Sequence, residues 1–570
     1  MTTVLADNLA ALERRYGIPV ALPSVSSATS VSSVSSAPSA ASAPSAPSAA
    51  RVRLDGPAVE LQTADGRWLR LVSARDPLAE AELWVGETLG DTKPDVLVLV
   101  GGGLGYVLDA LDAQDRSPRV VVVEPEPLLA EALLARRDWR AWIDAGRLAV
   151  LVGPAYTGAS AIVRQVPGLE RADLHVHPAF GRAWPDEAKL GLAAGEKLKF
   201  EAASNQQARK ALAGRYLRHT LANAARLARE GDAAALVDLL PGTPAVIAAA
   251  GPSLDRNFHD LHRIKDRAVV IACDTAARPL LNVGIEPQLV VAIDPSVANA
   301  CHLGALHEPG RTWLAAEASV HPTGFAQFEG RTFLFRIGDH APWPWLREAG
   351  FDRLQVSVWG SVITAAFDLA LRMGCDPIIF SGADLAFTGG RPYCRGTTLE
   401  AQWASWVEGG SSYERAFAML MDRWTPVTEL DLFNTPTRTA SHLVAFRDWM
   451  RERAKRAPAV RVINATGAGI LRGATFRQSS GIAALAQHPP LDLDAVQARL
   501  AAAHGRPAAT ATLFDRIDAL AQSGWSLPGD WRLDDAAAAP EALRRALESP
   551  EYAAWRLGRS GSALHSQTTE

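Results

Sequence analysis

Residues 245–296 read AVIAAAGPSLDRNFHDLHRIKDRAVVIACDTAARPLLNVGIEPQLVVAIDPS. Three uninterrupted apolar runs stand out, at 245–250, 268–272 and 288–293. Runs that short and that apolar suit strands buried on both faces, and helical spacing between them predicts a parallel α/β sheet. Each run ends in small or polar residues: Gly251-Pro252-Ser253, Asp274-Thr275 and Asp294-Pro295-Ser296. In an open parallel sheet, ligands bind outside the carboxyl ends of the strands, so these three clusters should converge on one crevice. Gly251 lets backbone approach a ligand. Ser253 can cap the next helix, whose free amides suit a phosphate. Asp274 and Asp294 are placed to bind hydroxyls of a sugar or nucleoside. For either Asp alone, helix capping or turn formation is an equal reading; three successive strand ends together favour a site.

A fourth cluster lies downstream, in residues 357–390, SVWGSVITAAFDLALRMGCDPIIFSGADLAFTGG. The spacing predicts a helix over 361–372, a turn at Gly374 and a buried strand over 377–380. That strand ends in Ser381-Gly382-Ala383-Asp384, and Gly360-Ser361 opens the helix in a way that can contact phosphate. A final strand is expected at 462–464, with 465–467 as its polar end. Arg391 and Arg472 are basic groups near the expected crevice, able to pair with a carboxylate or phosphate; for Arg391 the surface is the plainer placement.

A second α/β unit precedes this one. Val-rich runs at 96–100, 120–123 and 148–152 alternate with helical patterns, and 51–73 alternates apolar and polar residues around turns, as a small antiparallel sheet does. The loop Gly101-Gly102-Gly103-Leu104-Gly105 follows a strand and opens a helix, and Glu124 ends the next strand where it could accept from ribose hydroxyls. With VVVEP after it, the loop resembles that of S-adenosylmethionine-dependent methyltransferases. No catalytic signature follows, and the loop is read as a strand–helix turn in a scaffold domain.

The rest of the chain frames these units. Residues 1–22 hold a short amphipathic helix, and 23–50 contain only Ser, Ala, Pro, Val and Thr, a composition that stays flexible. That stretch is expected to set the helix apart. Residues 186–239 form a helical connector without strand signal, 240–478 the central domain, and 479–570 a helical tail in which Asp492-Leu493-Asp494 reads as a cap rather than a metal motif. The 58 Lys+Arg against 62 Asp+Glu argue against a protein built to grip nucleic acid or an anionic membrane. Four cysteines in so long a chain exclude a disulfide framework, and no C-x-x-C pair suggests structural zinc. No run approaches the roughly 18–20 apolar residues of a membrane span, and the N-terminus lacks the order of a secretory signal. A cytoplasmic location is the expectation.

The strings GPSLDRN, IACDTAARPLLNVGIEPQLVVAIDP and GSVITAAFDLALRMGCDPIIFSGADLAFTGG together closely resemble the motility-associated factor family of flagellin glycosyltransferases. Archaeal 6-hydroxymethylpterin pyrophosphokinases share the central domain. The resemblance implies an α/β protein with two Rossmann-like parallel-sheet domains, the central one similar to bacterial sialyltransferases, plus a helical C-terminal region. It implies a CMP-activated nonulosonic acid (pseudaminic or legionaminic type) as donor, Ser/Thr hydroxyls of flagellin as acceptor, and no required metal or cofactor. Carried onto this chain, Gly251, Pro252, Ser253, Asp274, Thr275, Asp294, Ser361, Ser381 and Gly382 would hold the nucleotide. Tyr393 could donate to the leaving phosphate, or be an exposed loop aromatic; relatives often carry His near this position. His442, at a helix start, and Asp384 are the two candidates for the base that deprotonates the acceptor. A pterin pyrophosphokinase and a non-enzymatic flagellin-binding module are the competing functions.

Overall fold

The computed structural model describes residues 3–16, 51–55, 58–153, 159–306, 310–348, 351–424, 426–505 and 515. The 23–50 stretch and the tail beyond 505, apart from residue 515, lie outside the described residues. The chain divides into two compact units, Met1–Arg209 and Lys210–Glu570. The division falls within the helix Pro185–Ala222, inside what the sequence reads as one connector.

In the first unit four parallel strands run in the order Leu148–Val152, Arg119–Glu124, Val96–Val100, Asp173–Val176. The first three are the Val-rich runs. The fourth, Asp-Leu-His-Val, is half-buried throughout and carries no apolar run that would announce it. The expected antiparallel sheet is present as Val52–Asp55, Ala58–Gln62 and Trp68–Arg70. The helix Thr3–Tyr16 is not set apart, which corrects the expectation. It buries Leu5, Leu12 and Tyr16, and Asn8 donates to Leu134 O and Arg137 O at 2.8 Å while accepting from Trp139 N. A fully buried amide with its partners satisfied ties this helix to the fold as firmly as its leucines do.

The second unit is built on a nine-stranded sheet, parallel throughout. Its order is Arg477–Gln478, Val462–Asn464, Ile378–Ser381, Ala245–Ala248, Val269–Cys273, Leu289–Ala292, Trp313–Glu317, Thr332–Phe335, Gly231–Asp232. After the edge strand Gly231–Asp232, the chain passes to Ala245–Ala248 near the middle, travels one way to Thr332–Phe335, then crosses back to Ile378–Ser381 on the other side. The order therefore reverses between Ala245–Ala248 and Ile378–Ser381, the place where open α/β sheets leave a crevice. Gly231–Asp232 gives the supposed connector an edge strand, which at two residues has no pattern to read. A hairpin, Pro426–Leu430 with Pro436–Ala440, also lies beyond what the sequence reading anticipates. Asp492 does cap the helix Leu493–His504, accepting from Ala495 N at 2.9 Å. Among the described residues no helix is long and apolar enough to cross a membrane.

Candidate functional site

At the reversal point the two strand ends are knotted together. Gly251 N donates to Gly382 O at 2.9 Å, and a Cβ at Gly251 would collide with Asp384 Oδ2 and Gly382 O. Gly251 is thus required by a close approach of protein to protein. Gly382 sits at φ +65°, and its N–H donates to Asn257 Oδ1 at 3.0 Å. Asp384 is buried, and both its oxygens face Ser253: Oδ2 accepts from Ser253 Oγ at 2.6 Å, and both oxygens lie 3.3 Å from Ser253 N.

This arrangement corrects the reading of Ser253. Its side chain does not cap the helix Leu254–Ile264. It donates to Asp384, whose carboxylate occupies the anion-favouring amino end of that helix, where the sequence reading places a phosphate. Burial pushes the Asp384 pKa up, opposed mainly by the hydroxyls of Ser253 and Thr388. The neighbouring Ser381 hydroxyl is buried and unpartnered.

One strand along, Asp274 opens the helix Asp274–Asn282 and is fully buried. Its Oδ1 accepts from Thr275 N at 2.6 Å and from Thr275 Oγ1 at 3.1 Å, while Oδ2 has no hydrogen-bond partner. Burial pushes its pKa up to about 6, with nearby Asp294 adding to the rise and the Thr275 donors and the nearby Asn299 amide opposing it. Asp294 is exposed and shapes its own turn, accepting from Ser296 N at 2.8 Å. Ser296 Oγ caps the following helix through Asn299 N, and the Asn299 amide reaches back to Asp294 O.

Tyr393 is half-buried rather than an exposed loop residue. It packs against the core and stacks on Trp403, and Cys394 N pins its loop to Ala250 O beside Gly251. Burial, with Asp274 and Asp294 adding, pushes its phenol up to about 12, so at neutral pH it is a hydrogen-bond donor. His302, which sequence reading missed, hydrogen-bonds Thr398 Oγ1, and burial lowers it to about 4.

A third group flanks these two. Ser361 precedes the helix Val362–Arg372 with no side-chain capping bond. Gly360 beside it lies against Phe446, which meets the ring of His442 edge-on. The other neighbour of His442 is Trp424, stacked in turn on Phe387 of the loop after Asp384. Burial among these aromatics lowers the His442 pKa, leaving the imidazole neutral.

The basic candidates are engaged: Arg391 pairs with Asp255 at 2.7 Å, and Arg472 donates to Asp431 O and Asn434 Oδ1. The structure therefore gathers Gly251, Ser253, Gly382 and Asp384 into one knot and Asp274, Thr275, Asp294 and Tyr393 into a second. Ser361 and His442 form a third group, linked to the loop that follows Asp384 through Phe446, Trp424 and Phe387. Asn257 and Asn299 tie these groups internally and were missed because lone Asn residues in helices carry no motif.

The glycine loop of the first unit is filled by protein. Side chains at Gly101, Gly102 and Gly105 would collide with Phe180, Leu133 and Trp139. Glu124 is buried and accepts from Gly102 N at 2.8 Å and Glu126 N at 3.2 Å, bracing the loop from below.

Residues 218–390 match the family model described as 6-hydroxymethylpterin diphosphokinase MptE-like. That range holds the strands from Gly231–Asp232 to Ile378–Ser381 and ends before Tyr393 and His442. An uncharacterized protein of Treponema pallidum (strain Nichols) is 26% identical over 169 residues, 29% of this chain and 57% of that protein. The chain thus spans little more than half the length of that relative. The structure of MAf glycosyltransferase from Magnetospirillum magneticum AMB-1 aligns with a TM-score of 0.46 and 17% identity, over 87% of this chain and 84% of that one.

Proposed function

We propose that this chain is a glycosyltransferase that moves a nonulosonic acid, of pseudaminic or legionaminic type, from a CMP-activated donor to Ser/Thr hydroxyls of flagellin. The observation that carries the reading is Asp274. A fully buried carboxylate with one oxygen lacking a partner is costly to a fold unless a ligand uses it. It lies beside exposed Asp294 and under a donating Tyr393, at the carboxyl edge of a parallel sheet next to the reversal point. Carboxylates so placed suit the vicinal hydroxyls of a ribose.

As CMP departs, negative charge collects on its phosphate while the sugar approaches an oxocarbenium ion, and donors fixed in advance stabilise that charge. In this reading the Tyr393 hydroxyl, close to Asp274 and Asp294, donates to the phosphate. The amino end of Leu254–Ile264 is excluded, since Asp384 would repel it. Asp384 then holds the two strand ends in register, and the reaction uses no metal. The test is direct. Purified protein, unmodified flagellin and either CMP-pseudaminic or CMP-legionaminic acid should give flagellin heavier by whole sugar residues in intact-mass spectra. Folded protein that leaves flagellin unshifted with both donors would refute the reading.

The family description of residues 218–390 favours a second reading, diphosphate transfer from ATP to the hydroxyl of a hydroxymethylpterin. Here Asp274 and Asp294 would face Mg²⁺-bound phosphates. Formation of AMP and a pterin diphosphate from Mg·ATP and hydroxymethylpterin would establish it.

A further inference from the structure

Both readings transfer a group to a hydroxyl, and a hydroxyl must give up its proton as the new bond forms. A side-chain base is effective when its lone pair is open and a second group orients it. Asp384 has both oxygens engaged by Ser253, and His442 is flanked by aromatic rings. The same sheet edge carries a pair that meets the requirement better.

Glu317 ends the strand Trp313–Glu317 and is completely buried. Its Oε2 accepts from Ser319 N at 2.6 Å and from Ser319 Oγ. Its Oε1 forms no hydrogen bond and faces Nε2 of His340 at 3.5 Å. His340 follows the adjacent strand, Thr332–Phe335, and stays partly open to solvent, its side chain 17% exposed. The Tyr216 ring lies against the imidazole, centroids 4.2 Å apart and planes 31° from parallel, and so fixes its plane. His340 Nε2 likewise has no hydrogen-bond partner; closing the 3.5 Å gap to Glu317 would place the proton there and leave the Nδ1 lone pair to take one from the acceptor. His219 and His321 line the same edge, His219 Nδ1 against Ser319 O at 3.1 Å and the two rings edge to face. Burial lowers both, so they are uncharged neighbours of the pair.

The register places this pair next to Asp274 and Asp294. Cys273 pairs with Val291 and Ala292 with Ala316, so the segments bearing Asp274, Asp294 and Glu317 leave the sheet from three adjacent strands. The strands of Asp274 and Glu317 are two spacings apart, roughly 10 Å, and His340 comes from the fourth strand in the row. A donor whose ribose is held by Asp274 and Asp294 would extend its phosphate and transferred sugar along this edge toward the pair.

We propose that His340 is the general base that deprotonates the acceptor hydroxyl, and that Glu317 is the residue positioning it. The proposal rests on the transferase reading of this sheet edge. In the step, the acceptor O–H proton moves to Nδ1 and the oxygen lone pair forms the bond to the anomeric carbon. The bond from that carbon to the phosphate oxygen breaks, and its electron pair leaves on CMP. The imidazolium then returns its proton to water.

The test measures transfer by the full chain from the CMP-sugar to unmodified flagellin. His340→Ala should lower kcat about 10²–10⁴-fold and leave the donor KM within about twofold, and added imidazole should restore part of the rate. Glu317→Gln should lower kcat at least about tenfold with donor KM unchanged, and Glu317→Asp should recover part of it, which a merely structural role would not give. Circular dichroism confirms folding, and if His340→Ala is unfolded the near-isosteric His340→Asn is read instead. A folded His340 variant that transfers at more than half the wild-type rate, or a folded His340→Ala that imidazole leaves unchanged, overturns the assignment and leaves the transferase reading standing. Wild-type protein inert with both CMP-sugars refutes the transferase reading itself, and the assignment with it.

Discussion

Asp274→Asn separates what the fold wants from what the site needs. Burial raises the Asp274 carboxyl from its ordinary 3.8 to about 6. A carboxyl raised on folding contributes stability that is fully present below its unfolded pKa and lost as pH climbs through the folded value. The rise from 3.8 to about 6 corresponds to about 3 kcal/mol lost between acid and neutral pH. Asparagine does not titrate, so this loss disappears in the variant. Its Oδ1 can still accept from Thr275, but its amide replaces the unpartnered Oδ2 and leaves a buried N–H₂ unsatisfied, costing about 1–3 kcal/mol at every pH. The variant should therefore be less stable than wild type near pH 4 and match or exceed it at pH 7. Equilibrium urea unfolding at half-unit pH steps measures the gap, and calorimetry with CMP at pH 7 measures the site, where affinity should fall at least about tenfold. A wild-type-minus-variant difference that stays flat from pH 4 to 7 would show that Asp274 ionises normally. The argument for a ligand-seeking carboxylate would then fail.

Other perturbations test the knot and the scaffold. Ser253→Ala removes the 2.6 Å hydroxyl donor to buried Asp384 and should destabilise the chain by about 1.5–3 kcal/mol in urea. Gly251→Ala forces a methyl group against Asp384 and the Gly382 carbonyl and should cost about 1–3 kcal/mol or more, because backbone must move. CMP binding should weaken with it. In the first unit, burial raises the Glu124 carboxyl from 4.5 to about 8, above the opposing pull of the Glu126 and Gly102 amides. Its contribution is fully present below about pH 4.5 and lost as pH rises through about 8. Glu124→Gln should flatten that part of the pH–stability curve between pH 5 and 9, and the same urea series at higher pH would detect it.

The long-range organisation was readable wherever burial imposes composition. The runs at 96–100, 148–152, 269–273, 289–292 and 378–380 are strands whose every position is apolar because both faces of a parallel sheet are covered. Two fully buried strands, Trp313–Glu317 and Thr332–Phe335, went unread, the polar Glu317 and Thr332 interrupting their apolar runs, and strands without that demand escaped as well. Asp173–Val176 is half-buried, and Gly231–Asp232 and Arg477–Gln478 are two-residue edges.

Strand ends, and so the candidate site, were also legible, since polar residues after an apolar run must lie at the sheet's carboxyl edge. What each polar residue does there was not. The local string makes Ser253 a cap and Gly251 a ligand contact; the fold brings Asp384, 131 residues away, into the helix terminus and uses both residues to hold it. Glu317 and His340 carry no motif, and they meet because neighbouring strands bring their ends together. By itself the sequence determined the uninterrupted apolar strands and which edge bears the polar groups, because those follow from local apolar patterning. Only the tertiary structure decided which of those groups satisfy one another and which are left for a ligand. Hydrogen-bond pairing is settled by distances of about 3 Å between residues remote in the chain, and no local pattern encodes them.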